Sequence, residues 1–281
     1  MKVRVVDLPG AVRSRRVHGR LTLPDGTGPF PLAIFVHGFT ISCEWGFWPE
    51  LARRLAASGI ASLRFNASGD GFGADLRTVD AIEAVAVNTY GKELVDLASV
   101  RAYANREPDL DARRAALVGH SRGGAVALLH ARDDGRYRAL ALWAASDKLL
   151  RFNPSRKALW RARGAIDVTH FALDRRVPLL RDALDEVEDD PSRFDVLAAT
   201  ASLASPVLVM HGAMDRAISV GGAHAIARAG RHPRSRLRIF DDAGHSFGAR
   251  DPLPESAHDF PARLTRLLDE TVAFLARELS V

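Results

Sequence analysis

Apolar and polar positions alternate along this chain in two rhythms. Short continuous apolar runs, residues 31–38, 60–66, 115–120, 138–146, 205–212 and 235–240, read as strands, the longest of them buried on both faces. Between them lie stretches with a period near 3.6. Residues 44–59 read as a helix closed by Gly59, and 91–107 places Leu94, Leu97 and Val100 on one helical face. Residues 124–131 and 223–230 are shorter helices. Residues 259–280 form a long one with a stripe through Leu264, Leu267, Leu268 and Val272. Residues 14–23 read as an edge strand ending in the turn Pro24-Asp25-Gly26. Strands alternating with helices predict an α/β fold with a mostly parallel sheet and helices on both faces.

One segment breaks the rhythm. Between Ser146 and Ser205 the strand pattern stops and helix-like pieces appear at 156–166, 178–188 and 192–203. A structureless loop of that length is improbable in a compact domain. The expected organisation is therefore a core over 1–147, a helical cap over 148–204 and a second core part over 205–281.

The parallel arrangement turns scattered residues into a candidate site, because ligands bind beyond the carboxyl ends of such strands. Four strand ends carry unusual residues. His37-Gly38-Phe39 follows the first apolar run and Gly119-His120-Ser121-Arg122-Gly123 the third. His211-Gly-Ala-Met-Asp215 follows the fifth, and Gly244-His245 the last. A serine, an acid and a histidine on one rim are the parts of an acyl-transfer site. Ser121 reads as a nucleophile on a strand-to-helix turn, or as an N-cap hydroxyl for the helix that follows. Asp215 ranks ahead of Asp147 as the orienting acid, and His245 ahead of His258 as the base. His120 is expected to pack inside the turn. Gly38 permits close backbone approach, so the Phe39 amide can face the site. The Arg122 amide at the helix N-terminus would be the second oxyanion donor.

His37, Gly38, Trp45 and Trp48 are candidates for substrate contact, although Trp45, Phe47 and Trp48 also read as packing of the first helix onto the sheet. Cys43 falls in the same region, with nothing to support a nucleophilic role. No HxH, HExxH or CxxC spacing makes His37, His211 and His245 a metal site, and none is expected. Glycines 69, 71 and 73 miss the dinucleotide-binding spacing, so 69–73 reads as a plain loop.

Composition narrows the function classes. The formal charge is +5, yet only four of the 39 basic residues are lysines, and acids are interspersed throughout. That is a solvated basic surface rather than a nucleic-acid footprint. No apolar run approaches the roughly 18 residues of a membrane span, and the first residues lack a signal-peptide core. A single cysteine fits a reducing compartment. A cytoplasmic protein with a small-molecule partner is expected, its state as monomer or homodimer left open. The cap segment begins basic (Lys148, Arg151, Arg156, Lys157) and turns acidic (Asp182, Asp185, Glu186, Glu188). Complementary cap helices and attraction of anionic substrates both fit this.

The order His37-Gly38, Gly119-x-Ser121-x-Gly123, His211-Gly-x-x-Asp215, Gly244-His245 resembles the α/β-hydrolase family over nearly the whole chain. The finer pattern is similar to capped bacterial feruloyl/cinnamoyl esterases and serine aminopeptidase-like hydrolases. The resemblance implies Ser121 as nucleophile, His245 as base, Asp215 as its orienting acid, Phe39 and Arg122 as oxyanion-hole amides, and no cofactor. It implies a serine hydrolase of carboxylesterase type. Thioester, amide or carbon–carbon hydrolysis on the same triad are the alternatives, and a binding protein with little turnover a third. Two departures stand out. Gly69-Asp70-Gly71-Phe72-Gly73 replaces the usual Gly-His-Gly-x-Ser, and Ile218-Ser219 replaces Val-Pro after the acid.

Overall fold

Alternate side chains of each interior strand enter opposite layers. In β3 (Phe30–Val36), Leu32, Ile34 and Val36 join one apolar cluster while Ala33 and Phe35 join another. The same period of two divides β5 (Leu110–His120), β6 (Ala139–Trp143) and β9 (Val207–Gly212). The structure, a computed structural model, describes residues 1–280; Val281, the end of the expected 205–281 segment, lies outside the described residues. One layer is covered by α1 (Phe47–Ala57) and α9 (Ala262–Leu279). The other is covered by α3 (Tyr90–Ala104), α4 (Arg122–Asp134), α7 (Val196–Ser202) and α8 (Val220–Ala229), while the short α2 (Glu83–Ala86) lies before α3.

The eight-stranded sheet has the order β1-β2-β4-β3-β5-β6-β9-β10, with β1 (Lys2–Pro9), β2 (Arg16–Leu23), β4 (Ala61–Asn66) and β10 (Arg236–Phe240) completing it. From β4 to β10 all pairings are parallel, and only β1–β2 and β2–β4 are antiparallel. The expected edge strand is thus interior, because β1 shields it. β1 escaped the apolar pattern because Val6 alone is fully buried there.

Between β6 and β9 the chain forms α5 (Pro154–Arg163), a hairpin of β7 (Ala165–His170) and β8 (Arg175–Leu180), α6 (Asp182–Asp189) and α7. The expected helix 178–188 begins only at Asp182, and 156–166 ends at Arg163. In the hairpin Ile166, Val168, Val177 and Leu179 point inward while Asp167, Arg176 and Pro178 stay exposed. That is strand periodicity, which the two helical readings passed over. The inward side chains cluster with Trp160, Ala183 and Leu184, so this segment has its own small core. The hairpin tip is tied to the loop after β3. Phe171 N donates to Thr40 Oγ1 at 3.0 Å and Ala172 N to Thr40 O at 3.2 Å.

Candidate active site

Parallel pairing brings the carboxyl ends of β3, β5, β9 and β10 to one rim, and the predicted residues gather there. Ser121 stands between β5 and α4 with φ 56° and ψ −123°. For a residue with a side chain this backbone is strained by about 1–3 kcal/mol, and strain of that kind clusters at functional sites. The turn is held by close packing: a Cβ on Gly123 would lie 2.2 Å from both the Val36 and His37 carbonyl oxygens. The N-cap alternative fails, because the Ser121 side chain makes no capping hydrogen bond to α4.

Asp215 and His245 meet directly, with His245 Nδ1 donating to Asp215 Oδ2 at 2.7 Å. The aspartate side chain is fully buried, so every acceptor position counts. Its Oδ1 accepts from the amides of Ala217 at 2.7 Å and Ile218 at 2.9 Å. His211 Nε2 lies 3.3 Å from Oδ2. Burial opposes ionisation of Asp215, but the donors from His211 and His245 outweigh it and hold the carboxyl well below the usual carboxylate range. Asp147 instead lies against α8, so close that a Cβ on Gly222 would stand 2.9 Å from its Oδ1. His258 is exposed in a short turn before α9.

Ser121 borders a cavity of about 360 Å³, whereas Asp215 and His245 stand outside its lining. No hydrogen bond joins Ser121 Oγ to His245 among the described residues. His120 connects the two sides. Its Nε2 donates to the His245 carbonyl at 3.1 Å, and the rings lie 4.7 Å apart. Burial, with His245 beside it, pushes the His120 imidazole down to about 3, so it stays neutral and positions the loop.

The backbone N–H groups of Phe39 and Arg122 have no protein acceptor among the described residues. The Arg122 side chain sits 4.8 Å from the Phe39 ring centroid and 3.7 Å from that of Tyr90. Glu93 Oε1 pairs with its Nη2 at 2.7 Å. The Arg122 guanidinium therefore ties its own turn to Phe39, Tyr90 and Glu93. Gly38 allows this approach, since a Cβ there would lie 3.3 Å from Ser121 Cβ.

Three expected substrate contacts take other positions. His37 is buried behind the loop, its Nδ1 donating to the Gly38 carbonyl at 2.8 Å and its Nε2 lying 3.0 Å from Asp70 Oδ2. Burial pulls the His37 imidazole down, but Asp70 outweighs it and holds His37 above its ordinary value. Trp48 is in the core, stacked 5.3 Å from Trp143 and 5.2 Å from Phe35. Trp45 packs edge-on to Phe47 and against that same cluster. The cavity walls come instead from Phe39, Tyr90 and, in the segment after β6, Leu150, Phe152 and Phe171. Cys43 is buried, and burial pushes its thiol up. No group of three or more acidic, histidine or cysteine side chains among the described residues could hold a metal ion, and no described helix is long and apolar enough to cross a membrane.

The sequence profile described as "Alpha/beta hydrolase family" matches residues 33–266. The chain belongs to the alpha/beta hydrolase family. Among curated relatives, pimeloyl-[acyl-carrier protein] methyl ester esterase of Xanthomonas campestris pv. campestris is 28% identical over 275 residues, covering 85% of this chain and 98% of that protein. Among solved structures, Est1E from Butyrivibrio proteoclasticus with ferulic acid bound superposes with a TM-score of 0.74 at 18% identity, covering 97% of this chain and 98% of that one. The esterase domain of a Rhodothermus marinus protein covers 100% of both chains, with a TM-score of 0.67 and 22% identity.

In this alpha/beta hydrolase the sequence pattern does not announce the buried charges around the loop after β3. Asp70 sits in the stretch read as a plain loop, and Glu93 on a helix read only for its apolar face. Their one local signal is an acid placed where neighbouring residues are buried.

Proposed function

We propose that this chain is a serine carboxylic-ester hydrolase working through Ser121, His245 and Asp215. The hydrogen bond from His245 Nδ1 to the buried Asp215 carboxylate, beside an uncapped serine on a strained turn, carries the proposal. Donating at Nδ1 leaves Nε2 without a proton, which is the tautomer a general base needs. In the Michaelis complex His245 Nε2 takes the Ser121 proton as Oγ attacks the ester carbonyl. The free amides of Phe39 and Arg122 receive the developing oxyanion, each worth about 3 kcal/mol of barrier. His245 then protonates the departing alcohol, and water repeats the sequence on the acyl-enzyme.

Residues 148–204 act as the cap over the serine, because Leu150, Phe152 and Phe171 share a cavity with it. The ester assignment is supported by relatives named as esterases. Labelling with a neutral fluorophosphonate, followed by a panel of 4-nitrophenyl esters, thioesters and anilides, tests the reading. Stoichiometric labelling lost in Ser121→Ala, with esters turned over fastest, is the expected result. An unlabelled Ser121 in folded protein overturns it.

A further inference from the structure

The cavity that borders Ser121 is also bordered by Lys148, Arg151, Arg156 and Arg176, and no aspartate or glutamate lines it. These four cations differ from their neighbours in the same segment. Lys157 pairs with Glu188 at 3.4 Å, Arg161 pairs with the same carboxylate, and Arg181 pairs with Asp185 at 2.8 Å. A fifth cation on the lining, Arg122, pairs with Glu93, whereas none of these four has a carboxylate partner among the described residues. The acids of this segment pair with Lys157, Arg161 and Arg181 instead.

Two of the four converge. Arg156 Nη2 donates to the Asp167 carbonyl at 2.8 Å, and Arg176 Nη2 donates to that same oxygen. Two guanidinium groups held on one neutral oxygen repel each other, and a carbonyl lone pair does not neutralise them. Arg156 is further fixed by its approach to the Phe152 ring, 4.9 Å from the centroid. Paired, oriented forks without a counter-ion are what a carboxylate receives in bidentate fashion. The cavity they share with Ser121 also has apolar walls, including Phe152, Trp160 and Leu179.

We propose that the substrate is an ester bearing a carboxylate, set off from the scissile carbonyl by an apolar spacer, which the Arg156–Arg176 pair binds. This rests on the ester-hydrolase reading above and deepens it. The same two arginines also border an open outer cleft of about 680 Å³, together with Arg163 and Asp167. Arg163 lines only that cleft, so it separates the two locations.

Matched esters test the inference. Monomethyl adipate is compared with methyl hexanoate for an acyl-side anion, and 6-acetoxyhexanoate with hexyl acetate for an alcohol-side anion, by pH-stat titration. The wild type is expected to favour the anionic member of at least one pair by about tenfold or more in kcat/KM. Salt at 0.5 M reduces the preference. Arg156→Gln/Arg176→Gln abolishes it while neutral-ester turnover stays within about twofold, which also shows that the variant folds. Arg163→Gln retains it. Equal use of both members in both pairs overturns the inference, as does a double variant that slows neutral and anionic esters alike, or loss of the preference in Arg163→Gln. Calorimetric titration of Ser121→Ala protein with monomethyl adipate and with 6-acetoxyhexanoate gives a readout independent of turnover. Binding weakened about tenfold by the double substitution supports the inference, and unchanged binding overturns it. Failure of fluorophosphonate labelling at Ser121 sinks the ester-hydrolase reading instead, and the titration then decides this one alone.

Discussion

Asp215→Asn isolates the step on which the chemistry depends. Two backbone amides, at 2.7 Å and 2.9 Å, donate to Asp215 Oδ1, and a buried amide oxygen must stay there to satisfy them. The new NH2 group therefore faces His245. An N–H donor cannot oppose the Nδ1–H of the present tautomer, so the imidazole must move its proton to Nε2. That nitrogen then has no lone pair for the Ser121 hydroxyl. Losing general-base assistance in this way is worth about 10³–10⁴ in rate, or about 4–5.5 kcal/mol. The fold loses the His245 and His211 contacts at Oδ2 and keeps the two amide donors at Oδ1, a cost of about 2–4 kcal/mol. The assay is kcat/KM for a 4-nitrophenyl ester from pH 6 to pH 9, with thermal unfolding run alongside. Asp147→Asn is the control, expected within about twofold of wild type because Asp147 packs against α8. A folded Asp215→Asn protein that keeps more than about a tenth of wild-type activity would refute the reasoning. So would an equal loss in Asp147→Asn.

Ser121→Gly removes both the hydroxyl and the strained φ of 56°, so activity disappears while the melting temperature rises by about 2 °C; a lower melting point in calorimetry contradicts the strain. Trp48→Ala empties a fully buried site, costing about 3–5 kcal/mol. Its KM for a neutral ester should not change, and a raised KM measured on folded protein would return Trp48 to the pocket. Asp215 has a depressed folded-state pKa, so its contribution to stability is complete above the unfolded value of about 4 and is lost as pH falls through the folded value. Denaturant titrations from pH 5 to pH 3 should show wild type losing more stability than Asp215→Asn; parallel profiles would contradict this.

The strands that carry the site were legible because a doubly covered sheet demands uninterrupted apolar runs, and β3, β5 and β9 have them. Their parallel pairing then made the positions of Ser121, Asp215 and His245 a matter of topology. β1 has almost no buried face to advertise. The β7–β8 hairpin lies among helix-forming residues, and its alternation covers only six residues a side. Trp48 shows the limit for side chains. An aromatic near a strand end fits a pocket or a core equally well, and only the stacking on Trp143 decides it. The pairs His37–Asp70 and Arg122–Glu93 join segments far apart in sequence, so no local spacing announces them.

Thr40 links two parts of the fold, the β7–β8 hairpin and the loop after β3. The hairpin tip holds on to it through two backbone donors, and Phe39, proposed above as an oxyanion donor, is its immediate neighbour. Lifting the hairpin to admit a molecule must break those two bonds or drag the neighbouring amide out of line. On the proposed ester-hydrolase reading, doorway and anvil are therefore one mechanical unit. Transplanting a foreign lid onto this scaffold would need to reproduce the grip on Thr40, or it would widen the entrance while blunting the tool behind it.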